Sequence, residues 1–309
     1  MEFVQIINKQ QVRHVEIRIG NTCNFDCSFC SPEFKSGSRR ALDVEAYKST
    51  VKTLMSNNLL PTLFTIQGGE PTLYPKIAEL LSYIKELGGY TQMFSNGSRT
   101  MRWWEEFLSM KLLDRLIVSH HSEQAADPVH TAKVLKLAKE LLEETSCHVT
   151  VTKEKFNSSV DDFNTIKSLT TDIAVTMVPI VSDMYVYTND ELETIKNNNR
   201  RFNSKESGFI TRNFFGGIQI ISKEGKIYDR YGYQLLLSQE NKFNGWECDV
   251  GILRLVIETD EAYVGICKVG GVIGKVSEQT VAFQKQPIIC NVNDCVCGAD
   301  AIIPKRKPA

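Results

Sequence analysis

The chain has 309 residues and a formal net charge of −1, long enough for a full core and without the charge excess that draws polymeric nucleic acid or anionic membranes. No stretch approaches the roughly 18 apolar residues of a membrane span, and the start, MEFVQIINKQQVRH, lacks the sections of a signal peptide. A cytoplasmic location is expected, and nine cysteines without an export signal point to thiolate–metal chemistry rather than to disulfides.

The first two hundred or so residues alternate short β-rich runs with helical patterns. HVEIRI alternates polar and apolar residues: Val15, Ile17 and Ile19 share one face, Glu16 and Arg18 the other. The loop CNFDCSFC follows. LDVEAYKSTVKTLMSN reads as a helix with Asp43 as its cap, LFTIQ as a strand, and PKIAELLSYIKEL as the next helix. YTQMFS ends at Asn96-Gly97, before a helical run around Trp103 to Met110. DRLIVS, HTAKVLKLAKELLEE, HVTVT, FNTIKSL, DIAVTMVPI and ELETIKNNN continue the alternation.

About six strand–helix units predict an α/β fold with a parallel sheet, a partial (β/α)6 TIM-like barrel or an open sheet rather than the closed eight-unit form. Parallel sheets bind ligands at the C-terminal ends of their strands. The cysteine loop, Gly68-Gly69, Ser95-Asn96-Gly97 and Ser119-His120 all follow strands, so they are expected on one face. After Arg200 the pattern changes to hairpins with turns at Lys223-Glu224-Gly225 and Thr259-Asp260. The expected division is a core over residues 1–204 and a small β-rich module over 205–309.

Cys23, Cys27 and Cys30 can converge on one metal centre, because a loop can turn all three thiolates inward. A structural zinc site usually wants four protein ligands, and no fourth cysteine or histidine stands nearby. A four-iron four-sulfur cluster held by three cysteines leaves one iron open to a ligand. Spacing alone favours iron–sulfur and leaves zinc or free thiols open.

The motif is more specific. Cys23, Cys27 and Cys30, with the aromatic Phe29 before the third, resemble the signature of the radical S-adenosylmethionine enzymes, and Gly68-Gly69-Glu70-Pro71 resembles that family's second motif. The resemblance covers roughly residues 13 to 200. It implies that the three cysteines ligate a catalytic [4Fe–4S] cluster whose open iron binds S-adenosylmethionine. It also implies that reductive cleavage yields a 5′-deoxyadenosyl radical, with flavodoxin or ferredoxin as the kind of partner that supplies the electron. Phe29 would lie near the adenine, and Gly68 and Gly69 would admit the methionine amine, with Glu70 supporting that segment. Ser95, Asn96 and Ser119 would contact the cofactor. His120 and His121 have no family role to transfer; one of them is a candidate for substrate hydrogen bonding or acid–base work. Glu16 or Arg18 would reach the substrate or pair with each other.

Cys248 and Cys267 flank the hairpin ILRLVIETDEAYVGI, and Cys290, Cys295 and Cys297 follow in IICNVNDCVCGAD. This tail resembles the twitch or SPASM type of auxiliary-cluster module. Five cysteines suffice for one auxiliary [4Fe–4S] cluster, and the expected ligands are Cys248, Cys267 and Cys290 with Cys295 as the fourth, Cys297 being the alternative. Structural zinc remains open for the tail, and a non-enzymatic metal scaffold is the competing class. About a dozen residues precede the first expected strand, which leaves no room for a leader-binding domain. A small molecule, sugar or nucleotide is therefore the expected substrate, oxidised or rearranged; a peptide presented by a separate leader-binding partner is the alternative.

Overall fold

The computed structural model describes residues 2–308 apart from 9–11, 31–34, 36, 38, 57–59, 181–185 and 200–208. The expected boundary at residues 204 and 205 lies outside the described residues.

Six parallel strands stand side by side in chain order: β2 (Arg13–Arg18), β3 (Thr62–Gln67), β4 (Tyr90–Ser95), β5 (Arg115–His121), β6 (Glu144–Val151) and β7 (Ala174–Pro179). Each is followed by a helix: α1 (Val44–Met55), α2 (Ile77–Glu86), α3 (Met101–Ser109), α4 (Pro128–Leu141), α5 (Phe156–Leu169) and α6 (Asn189–Asn199). These are the six units of the expected partial barrel. Local chemistry starts the helices: the Asp43 carboxylate accepts from Glu45 N at 2.9 Å, and Asp127 accepts from Val129 N with Pro128 at the first position.

The two faces of this sheet differ sharply. The outward face carries Val15, Ile17, Phe64, Ile66, Met93, Leu116, Val118, Cys147 and Val149, all buried in one core beneath the helices. Trp104 joins that core and its indole N–H donates to Gly97 O at 3.3 Å, so it packs as its helical pattern suggests. The inward face is polar, with His14, Glu16, Thr65, Gln92, Arg115 and Ser146 buried there. Phe215, just after α7 (Phe209–Phe214), closes the barrel floor, its ring 5.3 Å from that of His14 and 5.8 Å from the Arg115 guanidinium.

Two features lie outside the sequence expectation. The hairpin of β11 (Arg254–Glu258) and β12 (Glu261–Tyr263) does not stand apart; β11 runs parallel to β2 and, with β12 and β13 (Gly274–Lys275), extends the large sheet to nine strands. This covers the free edge that β2 would otherwise expose. Conversely β1 (Phe3–Asn8) sits inside a second sheet of six strands, between β8 (Ile218–Ser222) and β15 (Lys305–Arg306), alongside β9 (Ile227–Arg230), β10 (Glu247–Cys248) and β14 (Ile288–Ile289). The β8–β9 hairpin turns at Gly225, whose φ of 78° needs a glycine.

Candidate active site

The strand-end loops meet on one face, and hydrogen bonds join them. The segment after β3 is stitched to the start of the cysteine loop: Gly69 N donates to Gly20 O at 3.1 Å and Glu70 N to Thr22 O at 2.8 Å. A Cβ on Gly69 would stand 2.1 Å from Thr22 O, and one on Gly68 2.6 Å from Gly20 O. Both glycines are therefore required by the chain's own close packing, a reason different from the room for a cofactor amine that the motif suggests.

Glu70, 3% exposed, carries the connection onward. Its carboxylate accepts from Thr72 N at 3.0 Å, Ser95 Oγ at 2.8 Å and Asn96 N at 2.7 Å. Asn96 Nδ2 then donates to Asn24 Oδ1 at 2.9 Å, returning to the cysteine loop. On the loop's other side, Asp26 N donates to Gln124 Oε1, and Ser28 N and Oγ each donate to the Glu123 carboxylate at 2.7 Å. Gln124 and Glu123 belong to the single 3-10 turn Ser122–Gln124 after β5. Phe29 stacks on His121 with ring centroids 5.6 Å apart, and Phe25 meets the same ring edge-on at 6.0 Å.

The three thiols lie close enough to perturb one another. Burial raises all three; Cys27 is pushed up to about 12, chiefly by burial, then by the Glu123 carboxylate and the other two cysteines. Such thiols ionise readily only when a metal centre compensates the charge. Three thiols on one loop are the ligand number of a cluster that keeps one iron open.

The two histidines of β5 part company. His121 shares its face with Ser119, on the side that meets Phe25 and Phe29. Its Nδ1 is buried without a hydrogen bond, and burial holds its pKa down at about 4, with His120 adding to the effect. His120 points the other way. It is fully buried, with Nδ1 2.9 Å from Thr131 Oγ1 on α4 and Nε2 2.9 Å from Asp162 Oδ2 on α5. Its expected place on the rim is thus corrected to a buried seat between two helices.

Glu16 and Arg18 pair, Arg18 Nε donating to Glu16 Oε1 at 2.9 Å, but the pair is part of a larger network. Arg254 Nη2 donates to Glu16 Oε2 at 2.6 Å, Gln67 Nε2 donates to Glu16 Oε1, and Arg18 Nη1 donates to Glu258 Oε1 at 3.0 Å. Arg254 also binds Asp300 Oδ1 and meets His14 Nδ1, both at 2.5 Å. Asp300 Oδ2 in turn accepts from Ile266 N at 2.8 Å and Cys267 N at 3.4 Å. A continuous polar chain therefore runs from the barrel interior to the tail. Sequence reasoning missed Arg254 and Glu258, although RLVIE carries the alternation that singled out Glu16 and Arg18. It also missed His148, in register with Ser119 and edge-on to Phe94 at 5.7 Å.

In the tail, Cys248, Cys267, Cys290 and Cys295 line one cavity with Asp300 and Lys305. Cys297 does not line it; at the start of α10 (Gly298–Ala301) it lies beside Asp300, Arg254 and Glu16, and burial, then Asp300, pushes its thiol up to about 11. Among the described residues no three His, Cys, Asp or Glu side chains draw together tightly enough for a single ion; the four thiols stand around a space instead. Burial raises Cys248, Cys267 and Cys295, with Lys305 opposing it at Cys248 and Cys295.

Residues 17–153 match the model of the Radical SAM superfamily. The chain carries a radical SAM domain. Such a domain uses a [4Fe–4S] cluster and S-adenosylmethionine. A probable GTP 3′,8-cyclase of Pyrobaculum aerophilum is 31% identical over 128 residues, 40% of this chain and 38% of that protein. A 7-carboxy-7-deazaguanine synthase of Haemophilus influenzae is 32% identical over 87 residues, 28% of this chain and 37% of the relative. The chain thus spans little more than a third of the length of these curated relatives. Among solved structures, native anSMEcpe with bound AdoMet superposes at a TM-score of 0.55 and 18% identity, over 87% of this chain and 79% of the other. Streptococcus suis SuiB bound to precursor peptide SuiA gives 0.58 and 15% over 88% and 64%. These likenesses concern the fold. Among the described residues no helix is long and apolar enough to cross a membrane.

Proposed function

We propose that this radical SAM enzyme abstracts a hydrogen atom from a small polar molecule, a sugar or a nucleotide held over the barrel mouth, leading to oxidation or rearrangement. The observation that carries this reading is the bonding of the Cys23–Cys30 loop into the ends of β3, β4 and β5. Cys23, Cys27 and Cys30 would hold the cluster, while Phe29, Gly68, Gly69, Glu70, Ser95, Asn96 and Ser119 surround the place of the sulfonium cofactor. When bound, cluster and cofactor together supply a 5′-deoxyadenosyl radical.

The residues of the chain bind, orient and exclude water. Glu70 fixes the Ser95–Asn96 backbone against the cysteine loop, so the polar groups of that turn are preorganised rather than ordered by the ligand. His121 is neutral near pH 7, and its unpaired Nδ1 can accept or donate one hydrogen bond beside Phe29. The polar inward wall suits a substrate rich in hydroxyl or amide groups, and a nucleotide-type substrate is in keeping with the cyclase relative's name.

Cys248, Cys267, Cys290 and Cys295 would hold an auxiliary [4Fe–4S] cluster. Four thiols around one cavity are the ligand number that such a cluster takes.

The test is anaerobic incubation of reconstituted protein with reductant and S-adenosylmethionine, reading 5′-deoxyadenosine. Cys27→Ala abolishes its formation, whereas Cys290→Ala leaves part of it. Undiminished cleavage by Cys27→Ala would overturn the assignment.

A further inference from the structure

The tail cavity is lined by a buried cation that, among the described residues, no carboxylate pairs with. Lys305, on β15, is 3% exposed and lines the cavity with the four cysteines. Its ammonium donates to Asp300 O at 2.6 Å, Ile303 O at 2.9 Å and Ala301 O at 3.3 Å, and stands 5.1 Å from the centroid of Phe243. Those three carbonyls aim the ammonium but carry no net charge. Asp300, the carboxylate on the same wall, is already engaged by Arg254 and by the N–H groups of Ile266 and Cys267. Among the described residues Lys305 forms no ion pair with a carboxylate.

The front site is built differently. There Lys35 donates to Cys27 O at 3.0 Å, yet its ammonium is paired with the exposed Asp26 carboxylate at 2.6 Å. A buried, unpaired charge is costly unless another charge compensates it. At the tail site the Asp249 carboxylate feels the Lys305 charge without pairing with it, and the thiolate set supplies the remaining compensation. A cube held by four thiolates is a net anion, and it becomes more negative by one charge when it takes up an electron. A fixed positive charge on its wall therefore favours the reduced form and moves the potential upward.

We propose that Lys305 is the built-in counter-charge of the auxiliary cluster and raises its reduction potential. The inference rests on reading Cys248, Cys267, Cys290 and Cys295 as cluster ligands, and the experiment separates the two. The full chain carrying Cys23→Ala, Cys27→Ala and Cys30→Ala is reconstituted anaerobically, so that iron reports the tail alone. Its potential is then followed in a mediated reductive titration by electron paramagnetic resonance. Lys305→Met should keep its iron and shift the midpoint to more negative potential, whereas Lys305→Arg, which retains the charge, should stay near the parent. Should Lys305→Met not fold, Lys305→Gln, which retains donors for the carbonyls, takes its place. Loss of iron in both neutral variants with retention in Lys305→Arg overturns the tuning of the potential, the charge then being a condition for holding the cluster at all. An unshifted midpoint at full iron content in the neutral variant, or an equal shift in Lys305→Arg, overturns the role of Lys305. Absence of tail iron in the parent overturns the cluster reading itself.

Discussion

Arg254 offers the sharpest test of how the barrel interior is held. Its side chain is 1% exposed and bridges two buried carboxylates, Glu16 and Asp300. Replacement by Met keeps much of the volume and strands both anions. Breaking a buried ion pair from one side costs about 3–5 kcal/mol. Here Arg18 and Gln67 still serve Glu16, and two backbone N–H groups still serve Asp300, so a loss near the lower bound, about 3 kcal/mol, is expected. The pH dependence gives a second readout. Burial alone would raise Glu16, but Arg254, then Arg18 and His14, outweigh it and hold its carboxyl well below its ordinary 4.5. A depressed carboxylate contributes stability that is complete above that ordinary value and fades as pH falls toward the folded one. Arg254→Met removes the main depressing charge, so its deficit should be full near pH 7 and should narrow below pH 4.5. Urea unfolding of metal-free protein at both acidities measures this. Adding Glu16→Gln to Arg254→Met should recover part of the loss, because one stranded anion is gone. A deficit under about 1 kcal/mol at neutral pH, or one that does not narrow with acid, would refute the reasoning.

Gly69→Ala forces a methyl against Thr22 O; overpacking of about 1–3 kcal/mol and two strained backbone bonds of about 1 kcal/mol each predict a visible fall in stability and iron retention. Unchanged unfolding and iron content would count against it. Glu70→Ala leaves Ser95 Oγ and two backbone donors without their acceptor; roughly 2–4 kcal/mol and weaker S-adenosylmethionine binding by equilibrium dialysis are expected. Cys295→Ala should lower iron by about four atoms per chain, whereas Cys297→Ala should leave it intact; the reverse result would exchange their roles.

The rim was legible because each candidate motif ends or follows a strand, and parallel strands in order bring their ends together. The polar face of β2 was equally readable, since alternation alone puts Glu16 with Arg18. What they touch was not. Their partners Arg254 and Glu258 lie on β11, and only the register with β2 reveals that they belong in the barrel. His120 and His121 are neighbours on one strand and must face opposite ways, but which face looks inward depends on the sheet. β1 escaped notice because a six-residue strand with partly buried side chains has weak periodicity and draws its partners from the far end of the chain. The choice of Cys295 over Cys297 at the cavity depends on the chain turning into α10, which the spacing alone does not encode.

The seating of β1 also orders events in time. β1 precedes every other strand of this fold, yet it finds both its neighbours, β8 and β15, only after the intervening strands have been synthesised. Until then its backbone groups must remain hydrated, while β2 to β7 can assemble as they emerge. The proposed cluster at the tail would have to wait for β14 and β15 as well, because Cys248 sits on β10, hydrogen-bonded between them.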